Sequence, residues 1–171
     1  FLSRPSEAVF DALRALEGDI VVLGAGGKMG LHLCLMIRFA ILELEQSNRV
    51  IAVSRFGNLK SKSEYEEHGV ETLSGDLRDV DFVDSLPDAS YVFYMVGAKF
   101  GTTDNPELLH ETNVVLAERL GRRYRDSRIV AFSTGCVYSY VTPASGGSHE
   151  GSPTVPIGEY AQSCLEREHC F

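Results

Sequence analysis

The residues best suited to do chemistry stand early in the chain, where Asp19-Ile20-Val21-Val22-Leu23 runs into Gly24-Ala25-Gly26-Gly27-Lys28-Met29-Gly30. Gly24, Gly27 and Gly30 make a G-x-x-G-x-x-G spacing between an apolar strand and a helix. In such a turn the first glycine permits a tight bend, the middle one lets the backbone approach a pyrophosphate, and the last allows close helix–strand packing. Free N–H groups and the positive end of the helix dipole then attract phosphate. A glycine-rich turn that only joins strand to helix would look similar. The strand–turn–helix context is what points to a dinucleotide, with Gly26, Lys28 and Met29 completing the expected contact.

The end of the second strand bears on which dinucleotide. An acidic residue there would bond the adenosine ribose hydroxyls and repel a 2′-phosphate. The chain instead has Ser54 and Arg55, a hydroxyl and a guanidinium suited to phosphate, and Lys28 adds charge. NADP is therefore the expected cofactor and NAD the alternative; the contrary view makes Arg55 a solvated loop residue. Asp76, in Gly75-Asp76-Leu77-Arg78-Asp79, follows the third strand. With Leu77 beside it, Asp76 could receive the adenine amino group, or it could equally be a turn or N-cap aspartate. Val96 and Gly97, at the end of the fourth strand, are also assigned to the cofactor.

The elements that must hold these residues alternate. A helix is predicted over Pro5 to Leu16, closed by Gly18, and another from about Lys28 to Gln46. Val50 to Val53 is a buried strand, Ser61 to His68 a helix, Val70 to Leu73 a short strand, and Val80 to Ser85 a helical turn. Tyr91 to Val96 is the fourth strand, Asn105 to Arg125 one long helix, and Arg128 to Phe132 the fifth strand. Thr142 to Gly158 is a Pro-, Gly- and Ser-rich loop, long enough to suggest function, and a helix follows it. Such alternation predicts an α/β fold: a Rossmann-type, doubly wound parallel sheet with helices on both faces and ligands at the carboxyl ends of the strands. Residues 1–171 read as one NAD(P)-binding domain, with an N-terminal helix inside 1–18.

Composition narrows the partners. Sixteen Lys and Arg against twenty-four Asp and Glu leave a net charge of -8, which argues against nucleic acid as a partner. Cys34, Cys136, Cys164 and Cys170 form no C-x-x-C pair, so no metal site is expected. They read as reduced thiols in a cytoplasmic protein. The apolar run from Leu31 to Leu44 is too short, and too interrupted by His32, Arg38 and Glu43, to span a membrane.

Taken together, Gly24-x-x-Gly27-x-x-Gly30, Gly75-Asp76-Leu77, Asn113-Val114, Ser133-Thr134-Gly135-Cys136-Val137-Tyr138 and a later Tyr160 resemble a known pattern. It is that of the extended short-chain dehydrogenase/reductases, the NAD-dependent epimerase/dehydratase family. The resemblance implies an oxidoreductase acting on a hydroxyl or carbonyl, such as one on a nucleotide sugar. Thr134 matches the residue that hydrogen-bonds the substrate oxygen, and Tyr160 matches the acid/base. Tyr160 can act so only if its pKa falls from an ordinary value of about 10; the plainer role is an amphipathic cover for the crevice.

One departure stands out. The family pattern is Tyr-x-x-x-Lys, and four residues after Tyr160 this chain has Cys164. A lysine there would share the tyrosine's helix face and favour its ionised form, whereas Cys164 reads as a packing residue. Lys99, just past the fourth strand, is the preferred substitute, with Arg167 behind it and a solvated loop lysine as the bland alternative. Asn113 is expected to support the site. Cys164 also favours the rival reading, a non-catalytic NADP-binding sensor or interaction module. In the family a C-terminal part selects the substrate, and this chain is expected to stop short of it. An exposed edge on the fifth strand would then make a homodimer the expected assembly.

Overall fold

The computed structural model describes residues 2–57, 59–99 and 105–171. The chain forms two compact units, Phe1–Val96 with Arg123–Val130, and Gly97–Arg122 with Ala131–Phe171.

The first unit is organised by its apolar strands. These are β1 (Ile20–Leu23), β2 (Val50–Ser54), β3 (Glu71–Ser74), β4 (Tyr91–Tyr94) and β5 (Arg128–Ala131), in the order β3-β2-β1-β4-β5. β1 pairs in parallel with β2 and β4, Ile20 lying opposite Val50 and Tyr91, and β2 pairs in parallel with β3. Every residue of β1 is buried, as are Val50 to Val53, which is why these strands are continuous apolar runs rather than alternating ones. β3, at the edge, exposes Glu71 and Ser74. The strand order turns back beside β1, so the segments leaving β1 and β4 diverge, the arrangement in which open parallel sheets bind ligands. At the opposite end, Asp19 accepts from the Arg49 backbone at 2.9 Å and from its guanidinium at 2.6 Å, pinning the start of β1 beside β2.

The helices of this unit are α1 (Glu7–Leu13), α2 (Gly30–Glu43), α3 (Leu59–Glu66) and α4 (Val80–Ser85). α2 buries Cys34, Leu35, Ile37, Ala40 and Ile41 into a core shared with Ile20, Val22, Val50, Ala52, Tyr65 and Val70. It starts after Lys28, later than its periodicity predicts, because the glycine turn must first bend back on itself. Glu45, with φ of 55°, ends it before Gln46. α3 is also displaced toward the N-terminus: Gly69 takes φ of 75° and the Val70 N–H returns to the Tyr65 carbonyl, so the helical run stops before His68.

The second unit contains α5 (Pro106–His110), a π-helical turn (Glu111–Val115), most of α6 (Leu116–Arg123) and α7 (Glu159–Glu168). Asn105 caps α5 by accepting the Leu108 N–H, with Pro106 in the first turn. The single helix predicted over Asn105 to Arg125 is thus interrupted by one wider turn. Among the described residues no helix is long and apolar enough to cross a membrane.

Candidate functional site

In the first unit the glycine turn is held from two sides. The Gly24 and Ala25 N–H groups both donate to the Val53 carbonyl, at 2.9 and 3.1 Å. Tyr65, buried on α3, donates its hydroxyl to the Ala25 carbonyl at 2.6 Å. Burial pushes the Tyr65 phenol above its ordinary range, so it remains a donor. The Phe56 ring meets Tyr65 edge-on at 5.4 Å, with Phe56 itself at φ of 40°. Sequence reasoning missed this brace. The one available sign was an aromatic residue in an otherwise polar helix, and its partner lies forty residues away.

The three glycines of the spacing differ in why they are glycine. Gly24 has φ of 80°, and a Cβ there would lie 2.9 Å from the Val96 nitrogen. A Cβ on Gly30 would be driven into the Ala25 backbone, 2.7 Å from its Cα. Gly26 faces Ser54, whose Cβ would be 3.2 Å away. Gly27 is different: its added Cβ would meet only the Gly24 oxygen, at an ordinary 3.7 Å. Gly27 donates its N–H to the Gly24 carbonyl at 3.3 Å and accepts the Gly30 N–H at 3.2 Å, and the side of the residue where a Cβ would stand has no close contact. Lys28 and Met29 beside it are exposed, and the first turn of α2 carries no acidic residue that would repel an anion.

Around this turn, Ser54 is half-buried and Arg55 exposed, and the Arg55 carbonyl accepts the Ser74 hydroxyl at 3.3 Å. The Asp76 carboxylate accepts the Arg78 backbone N–H at 3.0 Å and meets the Arg78 guanidinium at 2.6 Å. These bonds pull Asp76 down to about 2, with the Arg55 charge adding to the effect. Asp76 thus forms the turn, and the N-cap of α4 is Asp79, which accepts from Asp81 and Phe82. Leu77 is buried.

The second unit brings together the residues expected to handle a proton. Thr134, three residues past β5, caps a short 3-10 turn by accepting the Cys136 N–H at 3.3 Å. Tyr160 lies on the first turn of α7, and the Lys99 ammonium stands over its ring, 5.0 Å from the centroid. Burial raises the Tyr160 phenol, and the Cys164 thiol beside it raises it further. Thr134, as a hydrogen-bond partner, and Arg167, by its charge, oppose this. Cys164 is fully buried, as a packing residue would be.

Asn113 and Ser163 fix the frame. Asn113, in the π-helical turn and fully buried, accepts the Ala98 N–H at 2.8 Å and donates to the Ala98 carbonyl at 3.1 Å. It also donates to the Ser163 hydroxyl at 2.9 Å, and Ser163 donates to the Tyr160 carbonyl at 2.9 Å. One amide therefore joins the loop that carries Lys99 to the helical turn that carries Tyr160, the supporting role expected of Asn113. Ser163 escaped notice in the sequence because nothing marks a serine between Gln162 and Cys164 as part of a network. Gly97 leaves room for the buried Arg167: a Cβ there would be 2.7 Å from the Arg167 guanidinium.

The profile of the NAD dependent epimerase/dehydratase family matches residues 20–170. No curated protein matches the sequence. Among solved structures, UDP-glucuronic acid 4-epimerase from Bacillus cereus, in complex with NAD, aligns with a TM-score of 0.69 at 20% identity, over 89% of this chain and 50% of that one. MoeE5 in complex with UDP-glucose and NAD gives 0.70 at 23%, over 90% and 48%. The UDP-Glc/GlcNAc 4-epimerase from Campylobacter jejuni gives 0.70 at 18%, over 90% and 47%. These likenesses establish a Rossmann-like α/β fold, and the chain spans about half the length of the structures it matches.

Proposed function

This chain belongs to the NAD-dependent epimerase/dehydratase family, and on that premise we propose that it is the cofactor-binding part of an oxidoreductase-type enzyme acting on a hydroxyl or carbonyl, with a nucleotide sugar as substrate. The observation that carries this is the meeting of Thr134, Tyr160 and Lys99 in one unit, although sixty-one residues separate Lys99 from Tyr160 in the chain. Relatives of the same fold are described with NAD and with UDP-glucose.

The residues of the glycine turn suit a nicotinamide dinucleotide, because Gly27 keeps open a space that any side chain would fill. Bound there, that cofactor would supply hydride-transfer chemistry. Gly24, Gly26, Gly27 and Gly30 shape the pyrophosphate site with Lys28 and Met29, and Val96 backs Gly24. Ser54 and Arg55 receive the adenosine ribose, where a guanidinium favours NADP over NAD. Asp76 and Leu77 complete the proposed contacts. On the proton side, Thr134 hydrogen-bonds the substrate oxygen, Tyr160 takes or gives that oxygen's proton, and Lys99 steadies the tyrosine ring from above. In this proposal residues 1–171 are the NAD(P)-binding part. Reduced thiols, a cytoplasmic setting and a homodimer belong to the same proposal.

Two measurements test it. NADPH and NADH titrations should give tighter binding of NADPH, with the preference lost in Arg55→Ala; equal affinities unaffected by that change would remove the NADP assignment. Turnover of a nucleotide-sugar panel by the full-length protein should be abolished by Tyr160→Phe. The buried Cys164 beside Tyr160 favours a second reading, a dinucleotide-binding module without catalysis. Tight dinucleotide binding with no turnover of any sugar would establish it.

A further inference from the structure

In the first turns of α7 the expected lysine is replaced by a buried thiol that holds the Tyr160 proton more tightly. If Tyr160 exchanges a proton near neutral pH, a positive charge must offset both this thiol and the cost of burial. Among the described residues, the charged or titratable groups at Tyr160 are Lys99 from the loop after β4 and Cys164 and Arg167 from α7.

Lys99 meets the face of the ring. Its ammonium lies over the face, 5.0 Å from the centroid, and the residue is exposed. A cation over the face is attracted by the ring quadrupole whether the phenol is ionised or not, and water and salt screen it. Arg167 is placed otherwise. It lies seven residues beyond Tyr160, two turns along the same helix face, with Cys164 between them. Helical side chains lean toward the N-terminus, so a long arginine reaches back along α7 in the direction of Tyr160. Only 5% of the residue is exposed. Its guanidinium occupies the niche left by the absent side chain of Gly97, with the Asn113 amide oxygen bordering the same space at 3.7 Å. Asn113 in turn clamps Ala98 and reaches Tyr160 through Ser163, so the niche and the tyrosine are fixed by one network.

We propose that Arg167 is the cation that takes over from the missing lysine, acting as a positioning residue that favours the ionised form of Tyr160 across the buried Cys164. The proposal rests on the acid/base role given above to Tyr160. Burial makes the substitution effective: a guanidinium shielded from water acts at longer range than an exposed ammonium. The direction of its influence on Tyr160 agrees, since its charge pulls the phenol downward.

The test is a pH titration of the Tyr160 phenolate in the dinucleotide-free protein, followed by ultraviolet difference absorbance with Tyr160→Phe as the blank. Arg167→Met should move the midpoint upward, Arg167→Lys should keep it near that of the unsubstituted protein, and Lys99→Met should move it less than Arg167→Met does. A larger shift from Lys99→Met than from Arg167→Met overturns the proposal. Equal shifts from Arg167→Met and Arg167→Lys overturn it too, because packing rather than charge would then be responsible. Should Arg167→Met fail to fold, ionic strength decides. Between about 0.01 M and about 1 M salt, where screening lengths fall from about 30 to about 3 Å, a midpoint set by the buried Arg167 stays constant. One set by the exposed Lys99 climbs, which again overturns the proposal. None of these readings needs turnover, so failure here is distinct from failure of the acid/base role, which would show as an active Tyr160→Phe enzyme.

Discussion

Alanine at Gly27 and alanine at Gly30 insert the same methyl group three residues apart and should have opposite consequences. At Gly30 the new Cβ lies 2.7 Å from the Ala25 Cα and closer still to its carbonyl. This is backbone rather than the end of a flexible chain, so α2 must move away from the turn. Overpacking of this kind costs about 3 kcal/mol or more, a fall of roughly 6–12 °C in Tm at about 2–4 °C per kcal/mol for a chain of this size. At Gly27 the Cβ finds an ordinary 3.7 Å contact, and its φ is not in the left-handed region. The folded state accepts it, and loss of unfolded-state freedom should raise stability by about 0.4–1 kcal/mol. The methyl does stand where a pyrophosphate would approach. Displacing even one charge-assisted backbone hydrogen bond, worth about 1.5–3 kcal/mol, weakens dinucleotide binding roughly 10- to 100-fold. Thermal unfolding followed by calorimetric titration with NADPH and NADH separates the two effects. A Gly27→Ala protein that binds either dinucleotide as well as the original would refute the assignment of the turn. A Gly30→Ala protein of unchanged Tm would refute the packing account.

Further outcomes follow from the same contacts. Tyr65→Phe keeps the edge-on contact with Phe56 but leaves the Ala25 carbonyl without its hydroxyl donor; it should cost about 2 kcal/mol, seen as a Tm lower by about 4–8 °C and as weaker dinucleotide binding. Asn113→Ala removes three hydrogen bonds from a buried network and should destabilise by about 3 kcal/mol in denaturant unfolding, where Asn113→Ala in an equally stable protein would deny the clamp any role. Asp76 should stay ionised in an NMR titration until the pH approaches about 2, and Arg78→Ala should raise it toward the ordinary carboxylate range, with the backbone N–H bond of residue 78 and the Arg55 charge still holding it down in part. Because its folded pKa is depressed, the stabilisation it provides is present above the unfolded value and disappears as pH falls through about 2. Both partners are more than a third exposed, so the effect on Tm should be slight.

The parallel sheet was legible in the chain because its central strands advertise themselves: Ile20 to Leu23 and Val50 to Val53 are unbroken apolar runs, as strands covered on both faces must be. Gly24 and Gly30 were equally legible, since tight bend and close packing are local demands. Helix ends were not. The start of α2 depends on how far the turn closes, and the stop of α3 depends on the conformation of Gly69. The π-helical turn was hidden for a deeper reason. Asn105 to Arg125 has an unbroken helical pattern, and what widens it is a set of partners at Ala98 and Ser163, far away in sequence. Tyr160 and Thr134 could be picked out by resemblance, and their proximity is now a matter of geometry. Spacing places Arg167 on the face of Tyr160, but its burial was not legible, because the room beside its guanidinium is left by Gly97, seventy residues earlier.

The wider turn at Glu111–Val115 also changes what a deletion would mean in this stretch. A π turn closes i to i+5 where the α-helix closes i to i+4, so it stores one residue beyond the regular count. Loss of a single residue on either side of Asn113 would not break the helix; it would heal it into an uninterrupted α-helix. The healed helix would be the simpler structure and the poorer protein. The wider turn advances less per residue, so its five residues rotate the chain about as far as four residues of α-helix at about 100° each, and the flanks would keep their faces after the cut. Leu109 on one side and Leu116 and Leu120 on the other, all buried now, would still face inward together. What the deletion would remove is the bulge that carries Asn113 to Ala98 and Ser163, so a one-residue loss here should spare the fold and loosen the tie between the Lys99 loop and the Tyr160 helix.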